Sequence, residues 1–335
     1  MKKLRLLFIC GMCTCFFMVG MAQNSKLRFR SDKTFKIVQF TDVHWVPGNQ
    51  ASNEVAERMN EVLDAEKPDL VIYTGDVVYG KPAAQGFDAA LQPVVSRHIP
   101  FAVTLGNHDD EQDMTREQIL EYIKKFPGNL TSTVKGLSGV TNFILSISSS
   151  EGKKDASILY CFDSHSYSTM KTIKGYDWLG MDQVNWYRKE STDYTKKNGG
   201  IPIPSLAFFH IPLPEYNLAA TDENTTLIGT RREKACSSAL NTGMFAAMLE
   251  SGDVMATFVG HDHVNDYVAY WKGILLTYGR FTGGKTVYCD IPGGNGARII
   301  LLKEGQRSFD TWERLSNGRV INKLTYPDDF VKHNN

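Results

Sequence analysis

The sequence predicts an α/β fold in which strands alternate with helices along the chain. Between residues 35 and 126, apolar runs of strand length alternate with segments whose apolar residues recur at helical spacing. This β-α-β-α-β order is typical of parallel strands joined by helical crossovers. After residue 263 the chain has four more strand-like runs, which favour a second, more antiparallel sheet.

The first half of the chain has the more regular pattern. Pro68 ends the first predicted helix, and Pro93 should kink or shorten the second. Thr115 and Gln118 form a capping-box pattern at the start of a third helix. The predicted elements are strands at residues 35–40, 69–73 and 101–105, and helices at residues 52–66, 87–95 and 115–126.

The second half is less regular. Its polar residues 191–204, rich in Gly and Pro, predict a loop, and residues 212–238 predict a long irregular segment of the kind that often recognises substrate. The predicted elements are a hairpin of residues 142–147 and 156–163, a helix within 175–189, and strands at 206–209, 254–259, 266–271, 274–278, 297–302 and 309–315.

Residues 1–22 have the pattern of a cleaved secretory signal peptide. Lys2, Lys3 and Arg5 precede a largely apolar stretch that is too short to span a bilayer comfortably, so no stable membrane span is expected. Small residues at positions 20 and 22 suit a signal peptidase. We therefore expect a secreted or periplasmic protein, the alternative being a buried N-terminal strand.

Composition and charge restrict the partners. Of 335 residues, 42% are hydrophobic, enough for one large domain or two small ones. The formal net charge is zero, and loss of residues 1–22 would leave 34 basic against 37 acidic side chains, a net charge of −3. Neither balance implies a general affinity for nucleic acid or for an anionic membrane surface. Nothing in the sequence predicts an oligomeric state.

The cysteines predict no disulfide framework. Three of the six lie within residues 1–22, and the other three are Cys161, Cys236 and Cys289. Three widely spaced cysteines match neither a disulfide scaffold nor a zinc finger. At most one bridge can form among them.

Polar side chains follow five of the predicted strands at the point where each strand ends. In an open α/β sheet, ligands bind outside the carboxyl ends of the strands, so these side chains indicate a site. They lie in the segments Asp42-Val43-His44, Gly75-Asp76, Gly106-Asn107-His108-Asp109, His210 and Gly260-His261-Asp262-His263.

The chemistry of these side chains favours two metal ions. Carboxylate, imidazole and amide oxygen suit Zn, Fe or Mn better than a metal that seeks thiolates. Seven ligands are too many for one tetrahedral ion but suit two ions about 4 Å apart, bridged by one carboxylate and by a hydroxide that attacks phosphorus. His108 is left over as a proton donor to a leaving-group oxygen. The seven candidate ligands are Asp42, His44, Asp76, Asn107, His210, His261 and His263.

Each of these residues also has an ordinary structural explanation. Any one of the histidines could be a structural residue, and Asp42 or Asp76 alone could be a loop cap. His98 and His165 match no motif and are interpreted as structural. The five motifs in this order are much harder to obtain by chance, so we interpret them together as one dinuclear site.

With these motifs the chain resembles the calcineurin-like metallophosphoesterase superfamily. The resemblance implies a domain at residues 33–320 with a four-layer α/β/β/α sandwich of two mixed sheets and metals at one sheet edge. It also implies roles. His108 would protonate the leaving group or stabilise the transition state. The first metal would be held by Asp42, His44, Asp76 and His263, and the second by Asp76, Asn107, His210 and His261.

The sequence is most similar to the purple acid phosphatase-like branch. The similarity lies in Lys67–Leu70, Phe208–Glu215 and Gly260–Asp266. Typical purple acid phosphatases have Asp-x-Gly at the first motif and a tyrosine ligand, whereas here His44 could take the place that Tyr79 would fill.

The motif that supplies a carboxylate partner to the histidine in protein Ser/Thr phosphatases is also absent. The partner of His108 is therefore not identified from the sequence. Asp109 and Asp262 are candidates for carboxylates that support the site from behind its ligands.

The resemblance implies a phosphoric ester hydrolase acting on a small phosphorylated substrate. We expect a phosphomonoesterase, with a phosphodiesterase or nucleotide hydrolase as the alternative and a non-catalytic metal-binding module as the third. Arg231 and Arg232, in the irregular segment, could meet a substrate phosphate or could be solvated surface residues.

Overall fold

The computed structural model describes residues 26–331, so the predicted signal peptide lies outside the described residues. The helices are α1 Gln50–Glu66, α2 Ala83–Val95, α3 Arg116–Ile123, α4 Met181–Lys197, α5 Glu215–Thr221 and α6 Met244–Ser251. The strands are β1 Thr34–Phe40, β2 Leu70–Thr74, β3 Phe101–Thr104, β4 Phe143–Ser148, β5 Asp155–Cys161, β6 Ser205–Phe208, β7 Leu227–Ile228, β8 Val254–Val259, β9 Val268–Trp271, β10 Ile274–Tyr278, β11 Gly296–Lys303, β12 Phe309–Leu315 and β13 Val320–Tyr326.

These strands form two mixed sheets. The first has the order β13-β12-β11-β1-β2-β3, with β1, β2 and β3 parallel and β11 antiparallel to β1. The second has the order β4-β5-β6-β8-β10-β9-β7, with β5, β6, β8 and β10 parallel. The hairpin of β4 and β5 confirms the one predicted from the sequence.

The two sheets pack face to face and each carries helices on its outer face. On β1, Phe35 and Ile37 point into the layer between the sheets, whereas Val38 and Phe40 pack with α1, α2 and α3. This alternation follows from the two-residue period of a strand. The second sheet is covered by α4, α5 and α6 in the same way. The predicted α/β fold and the four-layer α/β/β/α sandwich are therefore confirmed.

The strands after residue 263, here called the tail, do not form a sheet of their own. The prediction that they make a second, more antiparallel sheet is therefore wrong. β9 and β10 extend the second sheet, while β11, β12 and β13 extend the first beside β1. The tail therefore crosses from one sheet to the other, and it completes the hydrophobic layer between them with residues such as Leu275, Ile300 and Phe309.

Two helix predictions are also corrected. Pro93 does not shorten α2, which continues to Val95, because a proline in the last turn removes only one internal hydrogen bond. The predicted loop at residues 191–204 begins inside α4, which ends at Lys197. Ser191 is buried on that helix, and Lys196 and Lys197 lie in its last turn, where the helix dipole favours positive charge.

Four elements were not predicted, namely α6, β13, and the short helix α5 and short strand β7 within the segment expected to be irregular. Over residues 26–331, no helix combines the length and the apolar character that a bilayer crossing requires.

Candidate metal centre

The ends of five strands from both sheets meet at one edge of the sandwich. β1, β2 and β3 lead into the segments of Asp42, Asp76 and Asn107, while β6 and β8 lead into His210 and His261. All seven predicted ligands are buried, none more than 7% exposed. The strand order of the two sheets thus gathers residues that are up to 221 positions apart, from Asp42 to His263.

The backbone at this edge is unusually tight. Asp42, His44, Asp76 and His261 all have left-handed backbone conformations, with φ of 52°, 47°, 51° and 80°. Non-glycine residues rarely adopt this conformation, and when they do they often lie at functional sites. Gly106 is required as well, since a Cβ there would collide with the Asp76 carboxylate.

A first cluster consists of Asp42, His44, Asp76 and His263. One ligand atom from each lies within 4.8 Å of the others. The Nε2 atoms of His44 and His263 are 3.0 Å apart, and the His263 Nε2 lies 3.6 Å from the Asp42 carboxylate. The His44 Nε2 lies 3.6 Å from Oδ2 of Asp76.

A second cluster shares Asp76 and adds His210 and His261. The same Oδ2 atom of Asp76 lies 3.1 Å from Nε2 of His210. That Nε2 is also 3.1 Å from Oδ1 of Asn107 and 3.3 Å from Nδ1 of His261. Asn107 therefore joins this cluster, and Asp76 lies between the two groups.

The protonation of the histidines suits cations in both clusters. His210 donates its Nδ1 proton to the carbonyl of Thr74 at 2.8 Å, and His263 donates its Nδ1 proton to the carbonyl of Tyr288 at 2.9 Å. A neutral ring then has a lone pair on Nε2 that points at the other cluster members. Lone pairs and carboxylates gathered at such short distances are the arrangement that a metal ion satisfies. The buried Asp and His residues are thus compatible with a dinuclear metal site.

Burial and neighbouring charges shift the pKa values of these groups in opposite directions. Burial lowers the pKa of His263 to about 4, so this histidine stays neutral and available. Burial also lowers the pKa of His210, but the Asp76 carboxylate outweighs it and raises the pKa to about 9. Burial raises the pKa of Asp42 to about 7. Metal binding must displace these protons, so it should release protons to solvent.

His108 lies beside the first cluster and outside both ligand groups. Its ring centroid is 5.6 Å from that of His44 and 5.1 Å from that of Tyr79. Its backbone N–H donates to Oδ1 of Asp76 at 2.8 Å, which fixes its position relative to the clusters. The ring is partly exposed, as a residue that meets substrate must be.

The partner of His108 is Glu111, which the sequence reasoning missed. Nδ1 of His108 lies 2.6 Å from Oε2 of Glu111, and the Glu111 N–H donates to the His108 carbonyl, closing one turn. Neither Asp109 nor Asp262 has this place, and the sequence had left the partner unidentified. The signal available in the sequence was a carboxylate three residues after the histidine, in a stretch too polar to continue the strand.

Asp109 and Asp262 instead hold the loops of the site. Asp109 accepts hydrogen bonds from the backbone N–H groups of Asp76, Val77, Val78 and Gly106, at 2.8 to 3.1 Å. Asp262 accepts from the Cys236 N–H and from the Tyr278 hydroxyl. Both carboxylates therefore position the backbone from which the ligands project.

Tyr79 lies near the first cluster without belonging to it. Its ring meets His44 edge-on, with the centroids 5.2 Å apart. His44 is a member of the ligand group, as expected if it takes the place of a tyrosine ligand.

Arg231 and Arg232 both lie at the surface, next to the loop that follows β8. The Arg231 backbone forms a bridge with Asn265, and the Arg232 N–H donates to the Asn265 side chain. The Arg232 guanidinium binds the Asp290 carboxylate at 2.9 Å. This ion pair joins two surface segments beside the site, so a role with phosphate stays a prediction.

The three cysteines within residues 26–331 are free thiols. Cys161 is buried in the layer between the sheets, and Cys236 is exposed.

Comparison with known proteins decides the family. The family model described as calcineurin-like phosphoesterase matches residues 35–265, more than half of this chain. The chain belongs to this family. The match begins at β1 and ends just after His263, so it contains all seven predicted ligands and His108.

Two relatives support the resemblance to purple acid phosphatases. "Probable inactive purple acid phosphatase 29" of Arabidopsis thaliana is 33% identical, over 91% of this chain and 88% of that protein. "Phosphatase DCR2" of Saccharomyces cerevisiae is also 33% identical, over 87% of this chain but only 55% of that longer protein.

A solved structure has the same fold. A dimetal phosphatase from Danio rerio superposes with a TM-score of 0.60 at 13% identity, over 87% of this chain and 98% of that one. At this identity the likeness shows the fold alone.

Proposed function

We propose that this chain is a metal-dependent phosphomonoesterase. The observation that carries the proposal is the arrangement of His108 beside two buried clusters that share the Asp76 carboxylate. A protein that only binds metal has no use for a partly exposed histidine held at this position by Asp76 and paired with Glu111.

The first cluster, with Asp42, His44 and His263, would hold one ion, and the second, with Asn107, His210 and His261, the other. Two ions of this kind polarise a phosphoryl group and supply an activated water as nucleophile. Zn, Fe or Mn would suit these nitrogen and oxygen ligands.

The residues of the chain contribute orientation and proton transfer. Asp76 would fix the distance between the two metal positions. His108 would donate a proton to the oxygen of the departing alcohol, and the Glu111 carboxylate would hold the imidazole in the orientation that places Nε2 toward the substrate. General acid catalysis of this kind contributes about 10²–10⁴-fold.

The alternative of a metal-binding module without catalysis is raised by the name of the Arabidopsis relative. All the residues that the reaction requires are present in this chain, which supports an active enzyme. A phosphodiesterase would use the same metal centre, so hydrolysis must be compared between phosphate monoesters and phosphate diesters.

The decisive experiment is hydrolysis by the metal-loaded protein of matched monoesters and diesters. We expect turnover of monoesters and a loss of about 10²–10⁴-fold in His108→Ala for alkyl esters. His98→Asn is the matched control, because His98 is exposed, lies outside the site and has a left-handed φ that asparagine tolerates.

Two retained metals with no turnover of any ester would show a binding module, and faster turnover of diesters would show a phosphodiesterase.

We also propose that the protein is secreted or periplasmic, on the strength of the basic start, apolar stretch and small residues of positions 1–22. Mass analysis of the protein recovered from its native compartment should give a mature chain that begins after Ala22. A chain that retains residues 1–22 in the cytoplasm would contradict the proposal.

A further inference from the structure

Four tyrosines surround the mouth of the metal centre. The Tyr176 ring meets His261 edge-on with the centroids 4.3 Å apart, and Tyr167 stacks on Tyr176 at 5.3 Å. On the other side, Tyr288 stacks on His263 at 4.3 Å, and Tyr79 lies 5.1 Å from His108. The four rings come from three separate loops, so the aromatic mouth is assembled by the fold rather than by one segment.

Two of these rings are exposed although they are large and apolar. Tyr167 is 47% exposed and Tyr288 is 54% exposed. Such rings, with one face packed against the site and the rest open to solvent, are an available surface for a planar group.

The loop of Tyr167 is bonded to the segment that carries the proposed acid. The loop is closed by backbone bridging between Tyr167 and Tyr176, and the Ser166 hydroxyl donates to the carbonyl of Asn107 at 3.1 Å. Asn107 directly precedes His108, so this hydrogen bond holds the Tyr167 loop next to the segment of the proposed acid.

We propose that Tyr167 selects phosphate monoesters whose alcohol carries a planar aromatic ring. This inference rests on the proposed function, since the ring of the alcohol would stack on Tyr167 while His108 meets the bridging oxygen. Nucleoside monophosphates and aryl-bearing alkyl phosphates share this chemistry, and the mouth would favour both over esters of aliphatic alcohols.

Two matched substrate pairs test the proposal on the metal-loaded protein. A nucleoside 5′-monophosphate and ribose 5-phosphate have the same bridging oxygen and differ in the base, while benzyl and propyl phosphate differ in the ring. We expect the aromatic member of at least one pair to have a kcat/KM higher by about 5- to 150-fold, as the stacking of one ring predicts. The pair that shows the larger preference indicates whether the ring recognised is a nucleobase or the aryl group of an alkyl phosphate.

The variants then assign the preference to Tyr167. In Tyr167→Ala the ratio of kcat/KM between the aromatic and the non-aromatic member of the preferred pair should fall to about one. Tyr167→Phe retains the ring and should keep the ratio of the native protein. Tyr122→Ala is the control, because Tyr122 is a half-buried tyrosine on α3 whose hydroxyl binds Asp88, away from the site.

A direct binding measurement makes the test independent of turnover. The affinities of the metal-loaded protein for the nucleoside monophosphate and for ribose 5-phosphate, and for benzyl and propyl phosphate, should differ in the same sense by calorimetry. Equal affinity and equal kcat/KM within both pairs would overturn the role of Tyr167 and leave the phosphatase proposal intact. Absence of all hydrolysis would overturn the phosphatase proposal, while unequal binding would still support the aromatic mouth.

Discussion

At the residue scale, Asp76 is the one residue within 26–331 that belongs to both ligand clusters. Its Oδ2 atom faces His44 of one cluster at 3.6 Å and His210 of the other at 3.1 Å, while its Oδ1 accepts the His108 N–H. One side chain therefore connects both candidate metal positions with the proposed acid. Its φ of 51° requires a residue that tolerates a left-handed backbone, as aspartate does.

Asp76→Asn should lower metal content and activity together. Asparagine tolerates the same backbone but lacks the negative charge needed to hold two cations, so we expect at most one equivalent of bound metal. Activity should fall by about 100-fold or more, because even residues that only support metal ligands contribute about 10–100-fold. Metal analysis and ester hydrolysis measure both, with the surface variant Asp64→Asn as control. Two full equivalents of metal in the purified variant would disprove the bridging role.

Glu111→Gln should impair proton donation without loss of metal. Glutamine is nearly isosteric but removes the carboxylate that lies 2.6 Å from His108, so the imidazole is less well held. We expect the rate to fall about 10-fold or more for alkyl phosphates, which need the proton, and less for nitrophenyl phosphate, whose leaving group departs without one. Glu121→Gln, on the exposed side of α3, is the control. An equal loss on both substrates would show that Glu111 acts on the fold or on the phosphoryl group.

At the scale of elements, α3 braces the loop of the proposed acid. Arg116, the first residue of α3, donates to the carbonyl of Gly106 at 2.7 Å and to the Asp163 carboxylate at 2.6 Å. Asp163 also accepts from the N–H groups of Val140 and Thr141. An ion pair between the partly exposed Arg116 and the fully buried Asp163 therefore connects the end of β3 with the segment after β5, which leads to Tyr167.

Arg116→Met should destabilise the fold markedly. Removing one partner of a buried pair leaves the other charge uncompensated, which costs about 3–5 kcal/mol in free energy of unfolding. Urea denaturation at neutral pH measures the loss, and the double variant with Asp163→Asn should recover part of it. A double variant no more stable than Arg116→Met would show that the arginine acts through its contacts with the Gly106 and Leu105 carbonyls and with Asp110, and not through Asp163.

The same pair predicts a pH dependence. Burial raises the pKa of Asp163, but the Arg116 charge and the hydrogen bonds outweigh it and hold the pKa well below the usual value. A carboxyl group whose pKa is lowered in the folded state makes its full contribution to the stability of the fold above its unfolded-state pKa, which is about 3.9 for Asp. That contribution is lost as the pH falls toward the folded-state pKa. The difference in free energy of unfolding between the native protein and Arg116→Met should therefore be smaller below about pH 4 than at pH 7.

At the scale of the whole molecule, buried charges join the two sheets behind the metal centre. Arg298 of β11 donates to the carbonyls of Tyr278 and Asp266 and binds Glu313 of β12. Arg280, which follows β10, binds Asp266. These arginines and carboxylates are fully buried. The loop of His261 and His263 is thus tied to the first sheet as well as to its own.

The sequence predicted the parts of this molecule that depend on local pattern. Strand periodicity and the polar strand ends were sufficient for the α/β order and for the residues that meet at the site, because parallel strands bring their carboxyl ends to one edge. It could not predict which sheet the tail joins, since an antiparallel pair such as β1 and β11 involves partners far apart in the chain. Arg116 and Arg298 were missed for the same reason, because their partners Asp163 and Asp266 are distant in the chain. Glu111 was missed although it lies only three residues after His108, because that spacing alone does not show that the two side chains meet.

Removal of metal should destabilise the whole domain and not only its active-site loops. The candidate ligands come from five strand ends in both sheets, so an ion bound there stabilises the packed arrangement of both. A ligand at 1,000 times its Kd contributes about 4 kcal/mol, which corresponds to a rise in Tm of roughly 8 °C for a domain of this size. Calorimetry of the chelated and reloaded protein measures the shift, which should remain a single transition. Asp76→Asn should show a smaller shift, and an unchanged Tm after proven loss of two equivalents would mean that the ions do not hold the sheets together.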